Sequence, residues 1–363
     1  MKRFFFSFAL LAGCSSASSP VAPGSDAGSV DAQPLGCYGR ADTLVGVALE
    51  RVAGDNPVDP LGYPSFAVDE CAVLYVRAGG DLVRQALDRD GAPEVVAPAA
   101  EKPRRPSASG GLVAFEAEGA SGSEVRVWDR KTGVRSTLRG AFHHAGEARV
   151  TSDGLVFTGW LAAPGDADTD VLQWRRDTGA ISVVFGGPGQ QRFPDGAAGF
   201  FTGTDFSEDP TGAFSLETFR ASDVLVYDGA SGQVIRRQAP GKQAFPTLDA
   251  AHRLVYLDWE FVHPEPKLSA YKIRAGSFDG APQDDVVVAA IALTQPYVRP
   301  VLDDGRLFYA DGNALYLRTL GSGADPKQLA TGTFFGSVVL GERLVVARTA
   351  AGNGLELAVV PGR

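Results

Sequence analysis

"VWDRKTG", residues Val127 to Gly133, reads as the end of a β-strand running into a tight turn, with a glycine five positions after the aromatic. With Val125 and Arg126 just ahead of it, it alternates outward and inward side chains, the period of a half-buried strand. The same outline returns at Trp174 to Gly179, Tyr227 to Gly232, Tyr271 to Gly276 and Tyr316 to Gly321. Self-similarity of this kind calls for a repeat architecture before any single strand is interpreted.

Comparable units begin at Pro64, Pro106, Ala148, Pro194, Pro246, Pro300 and Ser337, at spacings of 42, 42, 46, 52, 54 and 37 residues. Each contains a strand such as "AVLYV", "LVAF" or "RLVYLDW", rich in the β-branched and aromatic side chains that fit a pleated, buried surface. Asp153-Gly154, Asp195-Gly196 and Asp304-Gly305 are dipeptides that supply the positive backbone angles of a two-residue hairpin. No helical periodicity of similar length competes. Four short strands in roughly 40–45 residues is the dimension of a propeller blade. The expected fold is therefore all-β, a seven-bladed β-propeller with four-stranded antiparallel blades. The aromatic of "VWDRKTG" is expected to pack between blades, and the glycine to turn the third strand into the fourth.

The last unit stops one strand short, at Pro361-Gly362-Arg363, while "TLVGVALERV", Thr43 to Val52, is a strand without a blade. An open edge exposes unpaired backbone groups, so this N-terminal segment is expected to close the last blade.

"PSASGGLVAF" (Pro106 to Phe115) and "PVLDDGRLFY" (Pro300 to Tyr309) resemble the proline, turn and apolar-strand opening of TolB-like, or WD40-like, propeller repeats of bacterial envelope proteins. "VRVWDRKTG" resembles their third strand and hairpin. The resemblance spans roughly residues 60 to 360, with the family's Ser-Pro-Asp-Gly turn reduced to "TSDG", "FPDG" and "LDDG". It implies a fold rather than an activity, and nothing corresponds to the N-terminal domain that accompanies the propeller in TolB itself.

The N-terminus has the grammar of an export signal: Lys2 and Arg3, an apolar run from Phe4 to Leu11, then small residues. Leu11-Ala12-Gly13-Cys14 resembles the lipobox of bacterial lipoproteins, with Cys14 as the lipidated first residue, and Ser15 after it resembles outer-membrane sorting. Ser15 to Pro34 has almost no large apolar residue and should form a flexible tether. The expected organisation is a signal peptide over 1–13, a tether over 14–36 and a propeller over 37–363, in an outer-membrane lipoprotein of the cell envelope that faces the periplasm or the exterior. Cys37 and Cys71 then remain as a pair in an oxidising compartment. Either they form a disulfide or they are two separately buried thiols.

Losing Lys2 and Arg3 takes the formal net charge from −9 to −11. This acidic balance argues against nucleic acid and anionic lipid headgroups, both of which need a concentrated positive field. Membrane contact is expected through the lipid alone, and the chain is expected to be a monomer.

Antiparallel meanders assign faces. Turns from first to second and from third to fourth strands share one side of the disc; second-to-third loops and blade connections share the other. On that second side the third to fifth units carry extensions, Leu161 to Asp170, Gly203 to Ser222 and Asp258 to Ser269. Long loops on a rigid scaffold are usual binding elements. The candidates are Phe206, Phe214, Phe219, Trp259, Glu260 and Phe261, with His143, His144 and Asp168 on the same side; the alternative reading is loop drift, with some aromatics plugging loop to blade. Asp166, Asp168 and Asp170 alternate like calcium ligands but lack the glycine and distal glutamate of a calcium loop. No cofactor is otherwise implied. The sequence has no G-x-S-x-G elbow, H-E-x-x-H pair or P-loop. The expected function is non-catalytic binding of an envelope protein or a glycan. The alternative is a propeller hydrolase or lyase with its catalytic residues at the channel mouth.

If the lipobox is used, Cys14→Ser should move the protein from the membrane pellet to the soluble fraction of lysed cells, and metabolic labelling with a fatty-acid probe should be lost with it.

Overall fold

A computed structural model describes residues 37–51, 59, 61–161, 168–209, 221–238, 241–259, 271–278, 284–291, 298–351 and 354–362. These residues form seven four-stranded antiparallel sheets arranged as a propeller. The innermost strands are Phe66–Asp69, Arg104–Ser109, His144–Thr151, Gln191–Ala197, Lys242–Leu248, Val301–Asp303 and Phe334–Leu340 for blades one to seven.

The core lies between blades rather than within any one of them. Trp128 sits with Val113 and Phe115 of its own blade against Leu74, Val76 and Leu82 of blade one, and Gly133 turns at φ 74° into the outer strand. Trp174 and Tyr227 pack in the same way against the preceding blades. The outline of an aromatic and a glycine changes phase at Tyr271. This residue opens the third strand of blade five, Tyr271–Ser277, and Gly276 lies inside that strand. Aspartates stitch neighbouring blades together on the face of the first-to-second turns. Asp69 accepts the Gly111 N–H at 3.0 Å, and Asp249 accepts the Gly305 N–H at 2.9 Å.

The ring is closed as expected, but by a shorter strand. Ala48–Leu49 is the outer strand of blade seven and pairs with the third, Leu355–Pro361, through Ala48↔Glu356 and Leu49↔Leu355, with bonds from the Gly46 N–H to Leu357 O at 2.9 Å and from the Leu357 N–H to Val47 O at 2.8 Å just ahead of it. Ahead of it, Ala41–Leu44 is a single 3-10 turn. The same segment also reaches blade one, where the Ala78 N–H bonds to Ala48 O at 3.1 Å and the Glu50 N–H to Val76 O at 3.0 Å. Ala41, Leu44 and Leu49 are buried with Phe66, Val73 and Tyr75 of blade one and Phe335, Leu340 and Val345 of blade seven. Cys37 is disulfide-bonded to Cys71, in the first turn of blade one, with Cα atoms 4.7 Å apart.

Asp304-Gly305 forms its hairpin turn at φ 42° and 74°. Asp195-Gly196 does not form one: both residues lie inside the inner strand of blade four, and Ala198-Gly199 makes the turn at φ 51° and 82°. Asp195 is held in the strand by bonds from Thr247 Oγ1 at 2.6 Å and the Leu248 N–H at 3.2 Å, both in the next blade.

Leu44 is fully buried at the seam, so Leu44→Ala should cost about 2–5 kcal/mol and lower the melting temperature by roughly 5–10 °C. A calorimetric scan that leaves the midpoint unchanged would refute the seam as the source of ring stability.

Candidate functional site

The blades open on a repeated backbone irregularity. In blades two, three, four and five the first strand shifts register against the second, between Arg104 and Ser107, Gly146 and Arg149, Arg192 and Asp195, and Ala244 and Thr247. Within each bulge one non-glycine residue has positive φ: Arg105 at 49°, Glu147 at 57°, Phe193 at 58° and Phe245 at 55°. A bulge re-aims a side chain, and a left-handed backbone at a side-chain-bearing residue costs on the order of 1–3 kcal/mol. The strain is tolerated because surrounding contacts fix it. These residues precede Pro106, Ala148, Pro194 and Pro246; Tyr63 and Arg299 hold the matching places before Pro64 and Pro300.

Their side chains meet across the ring axis. The guanidinium carbons of Arg299, Arg149 and Arg105, from blades six, three and two, lie 3.9, 4.6 and 5.1 Å from the ring centre of Tyr63 in blade one. Arg299 also lies 4.8 Å from the ring of Phe245 and 5.5 Å from that of Phe193. Contacts that join blades on opposite sides of the disc are possible only along the axis, so this set plugs the central channel with aromatic rings and guanidinium groups.

Glu147 is the fully buried carboxylate of the plug. It is ion-paired with Arg192, accepts Thr158 Oγ1 at 2.8 Å and accepts the Phe193 N–H at 3.0 Å. Burial alone would raise its pKa; Arg192 and Arg105, with the hydrogen bonds from Arg192 and the Phe193 N–H, outweigh burial and hold it below the ordinary glutamate value. Glu116 is equally committed, accepting Arg104 Nε at 2.8 Å and Arg105 Nη1 at 3.0 Å, and Arg105 also pairs with Asp59. Carboxylates committed to arginine partners in this way hold a structure in place and are poorly suited to moving protons.

On the face of the second-to-third loops a groove of about 630 Å3 lies between blades one and two. Gly79-Gly80 of the blade-one loop, Lys102 to Arg105 of the blade connection and Gly122-Ser123 of the blade-two hairpin form its walls. Its charged groups are largely paired: Glu50 accepts the Gly79 N–H at 2.7 Å, Lys102 pairs with Glu118, and Arg104 reaches both Glu116 and, at 3.3 Å, Ser123 Oγ. Tyr63 lies at the bottom of the groove, buried, with its hydroxyl lacking a hydrogen-bond partner.

The sequence candidates are not brought together as exposed anchors. Phe206 is fully buried, edge-on to Phe193 with ring centres 5.9 Å apart, and Trp259 is buried between Phe245 and Tyr271. Both act as plugs between loop and blade, because the channel plug beneath them offers aromatic surface that a loop aromatic covers more favourably than water does. His143 is exposed; His144 is half-buried against Gly122, and its Nδ1 lacks a partner. Asp168 is half-buried and Asp170 buried. Burial raises the pKa of Asp170, opposed by a bond from the Gly187 N–H and reinforced by Asp168. Cys14, Asp166, Phe214, Phe219, Glu260 and Phe261 lie outside the described residues. Among the described residues no group of three metal-ligating side chains is assembled, and no helix is long and apolar enough to cross a membrane.

What the sequence reading passed over was the column of residues before each blade-opening proline. Aligning the first six units on their opening residue, a proline in all but the third, puts Tyr63, Arg105, Glu147, Phe193, Phe245 and Arg299 in register.

No protein-family profile matches the sequence, and no curated protein matches it. Solved structures do match. The β-propeller domain of the trilobed protease from Pyrococcus furiosus, which has an open velcro topology, superposes with a TM-score of 0.60 at 13% identity, over 82% of this chain and 95% of that one. The tricorn protease gives 0.55 at 11% identity over 83% of this chain, which spans only 33% of that protein. The putative TolB from Agrobacterium tumefaciens gives 0.45 at 15% identity over 70% and 84% of the two chains, too loose a superposition to carry an argument. At these identities the likeness is one of fold.

Replacing Glu147 by glutamine removes the buried carboxylate from its ion pair with Arg192, at a cost of roughly 3 kcal/mol at neutral pH. Because folding depresses the pKa of Glu147, its contribution is complete above the unfolded value of 4.5 and is lost as pH falls through the lower folded value. Urea titrations below pH 4.5 should therefore show wild type converging on Glu147→Gln; a constant gap down to pH 2 would contradict this role.

Proposed function

We propose that the chain is a non-catalytic binding propeller of the bacterial cell envelope, tethered through a lipid on Cys14, which takes a protein or glycan partner on the face of the second-to-third loops. The observation that carries this reading is the groove between blades one and two, with walls held rigid by Lys102–Glu118 and by Arg104 and Arg105 on Glu116. A preorganised polar groove loses little conformational entropy on binding. Glu147 supports binding over catalysis: an enzyme at the channel mouth needs an acid or base free to exchange a proton, and this carboxylate is saturated and held ionised. Phe214, Phe219 and Glu260, from the long loops of blades three to five, are the candidates for additional contacts, while the buried Phe206 and Trp259 serve as supports rather than contacts.

Ser123 lines the groove and touches the network around Glu116 only through a long bond from Arg104 Nη2 at 3.3 Å. Ser123→Trp should fill the groove, reduce partner capture at least about tenfold, and leave the melting temperature within roughly 2 °C of wild type. A photo-crosslinker at the same position in intact cells should yield an adduct, whose sensitivity to protease or to glycosidase tells a protein partner from a glycan. Wild-type capture by the filled variant would remove the groove from consideration.

A further inference from the structure

Further along the inner strands lies a second layer: Ser107, Arg149, Asp195, Thr247 and Val301, each two residues beyond the plug position of blades two to six, and Ser337 of blade seven. These six, with Arg299 from the layer above, line a separate cavity of about 200 Å3 on the ring axis. It holds two guanidinium groups against a single carboxylate. Arg299 is nine-tenths buried; its Nε donates to Leu61 O at 3.2 Å, and its Nη2 has no hydrogen-bond partner. Among the described residues neither Arg149 nor Arg299 stands in an ion pair. The neighbouring carboxylates are committed elsewhere: Asp59 and Glu116 to Arg105, Glu147 to Arg192, and Asp195 to Thr247 and the Leu248 N–H.

A buried guanidinium with an unused donor is costly unless an anion or water satisfies it. Two guanidinium forks facing one cavity match the oxygens of a carboxylate or phosphate, which they bind bidentately. The hydroxyls of the layer suit the remaining oxygens. Ser107 Oγ accepts the Val150 N–H at 2.9 Å, which leaves its own proton to donate. The volume is on the order of six or seven water molecules, enough for a small oxyanion and too little for a peptide or a sugar chain.

We propose that the axial cavity is a binding site for one small oxyanion, a carboxylate or a phosphate, held between Arg149 and Arg299. Asp195 tunes the site, setting its affinity by opposing the incoming charge. The site lies deeper along the axis than the groove and stands whether or not the groove takes a partner. The electrostatic work is local, since the chain as a whole is acidic.

The test is calorimetric titration of the full chain with inorganic phosphate and, separately, with succinate, against chloride at equal ionic strength; the two arms distinguish a phosphate site from a carboxylate one. One of the two should bind once per chain and raise the melting temperature with its concentration. Arg149→Met, at a half-buried position, is the variant expected to stay folded, as circular dichroism would check, and should weaken binding at least about tenfold. Asp195→Asn should tighten it several-fold, the opposite sign from any general loss of structure. The absence of heat and of melting shift with both anions would overturn the proposal, as would wild-type affinity in folded Arg149→Met.

Discussion

A ring of sheets has one seam, and every other feature of this molecule depends on how it is held. Each blade buries its face only against its neighbours, so without closure the outer blades would expose apolar surface and the last sheet an unpaired edge. Ala48–Leu49 completes the sheet of blade seven while its flanking backbone bonds to blade one, and Leu44 fills the apolar gap between them. The Cys37–Cys71 disulfide fixes the approach of this segment to blade one. Backbone bonds from Gly46 to Glu50 to both blades, apolar burial and the covalent link together carry the closure.

Closure brings seven inner strands around one axis, and the bulges decide what stands there. At four of them a left-handed residue turns its side chain inward. The strain is offset where Arg105 and Glu147 find counter-charges and where Phe193 and Phe245 find aromatic and cationic neighbours. The result is a stopper of alternating rings and ions rather than an open pore. Below it the axis keeps a small polar cavity, and on the loop face a larger groove runs outward between blades one and two. Beside these recesses, Glu116 and Glu147 are held by arginines, and Glu147 by hydrogen bonds from Thr158 and the Phe193 N–H as well.

Much of this was written in local sequence. Alternation, turn dipeptides and the proline-led spacing determined seven four-stranded blades, because strand period and hairpin chemistry are properties of neighbouring residues. The unpaired N-terminal strand also pointed to the closing edge. Aromatic residues in long loops were less legible: Phe206 and Trp259 look like exposed anchors in sequence, and only the adjacent blades show that they are buried. Asp195-Gly196 misled for the same reason. The dipeptide favours a turn locally, but pairing with Thr202 and Phe201 keeps it in the strand and leaves Ala198-Gly199 to turn the chain.

By itself, then, the sequence determined the repeat, the blade count and the acidic character of the chain, all of which follow from short-range pattern and composition. Which charges meet was decided only by tertiary structure. Arg105, Glu147, Arg192 and Arg299 are separated by 42, 45 and 107 residues in turn, and nothing local couples them. Their encounter depends on how far each blade is rotated about a shared axis and on which way each bulge aims its side chain, quantities fixed by packing between sheets.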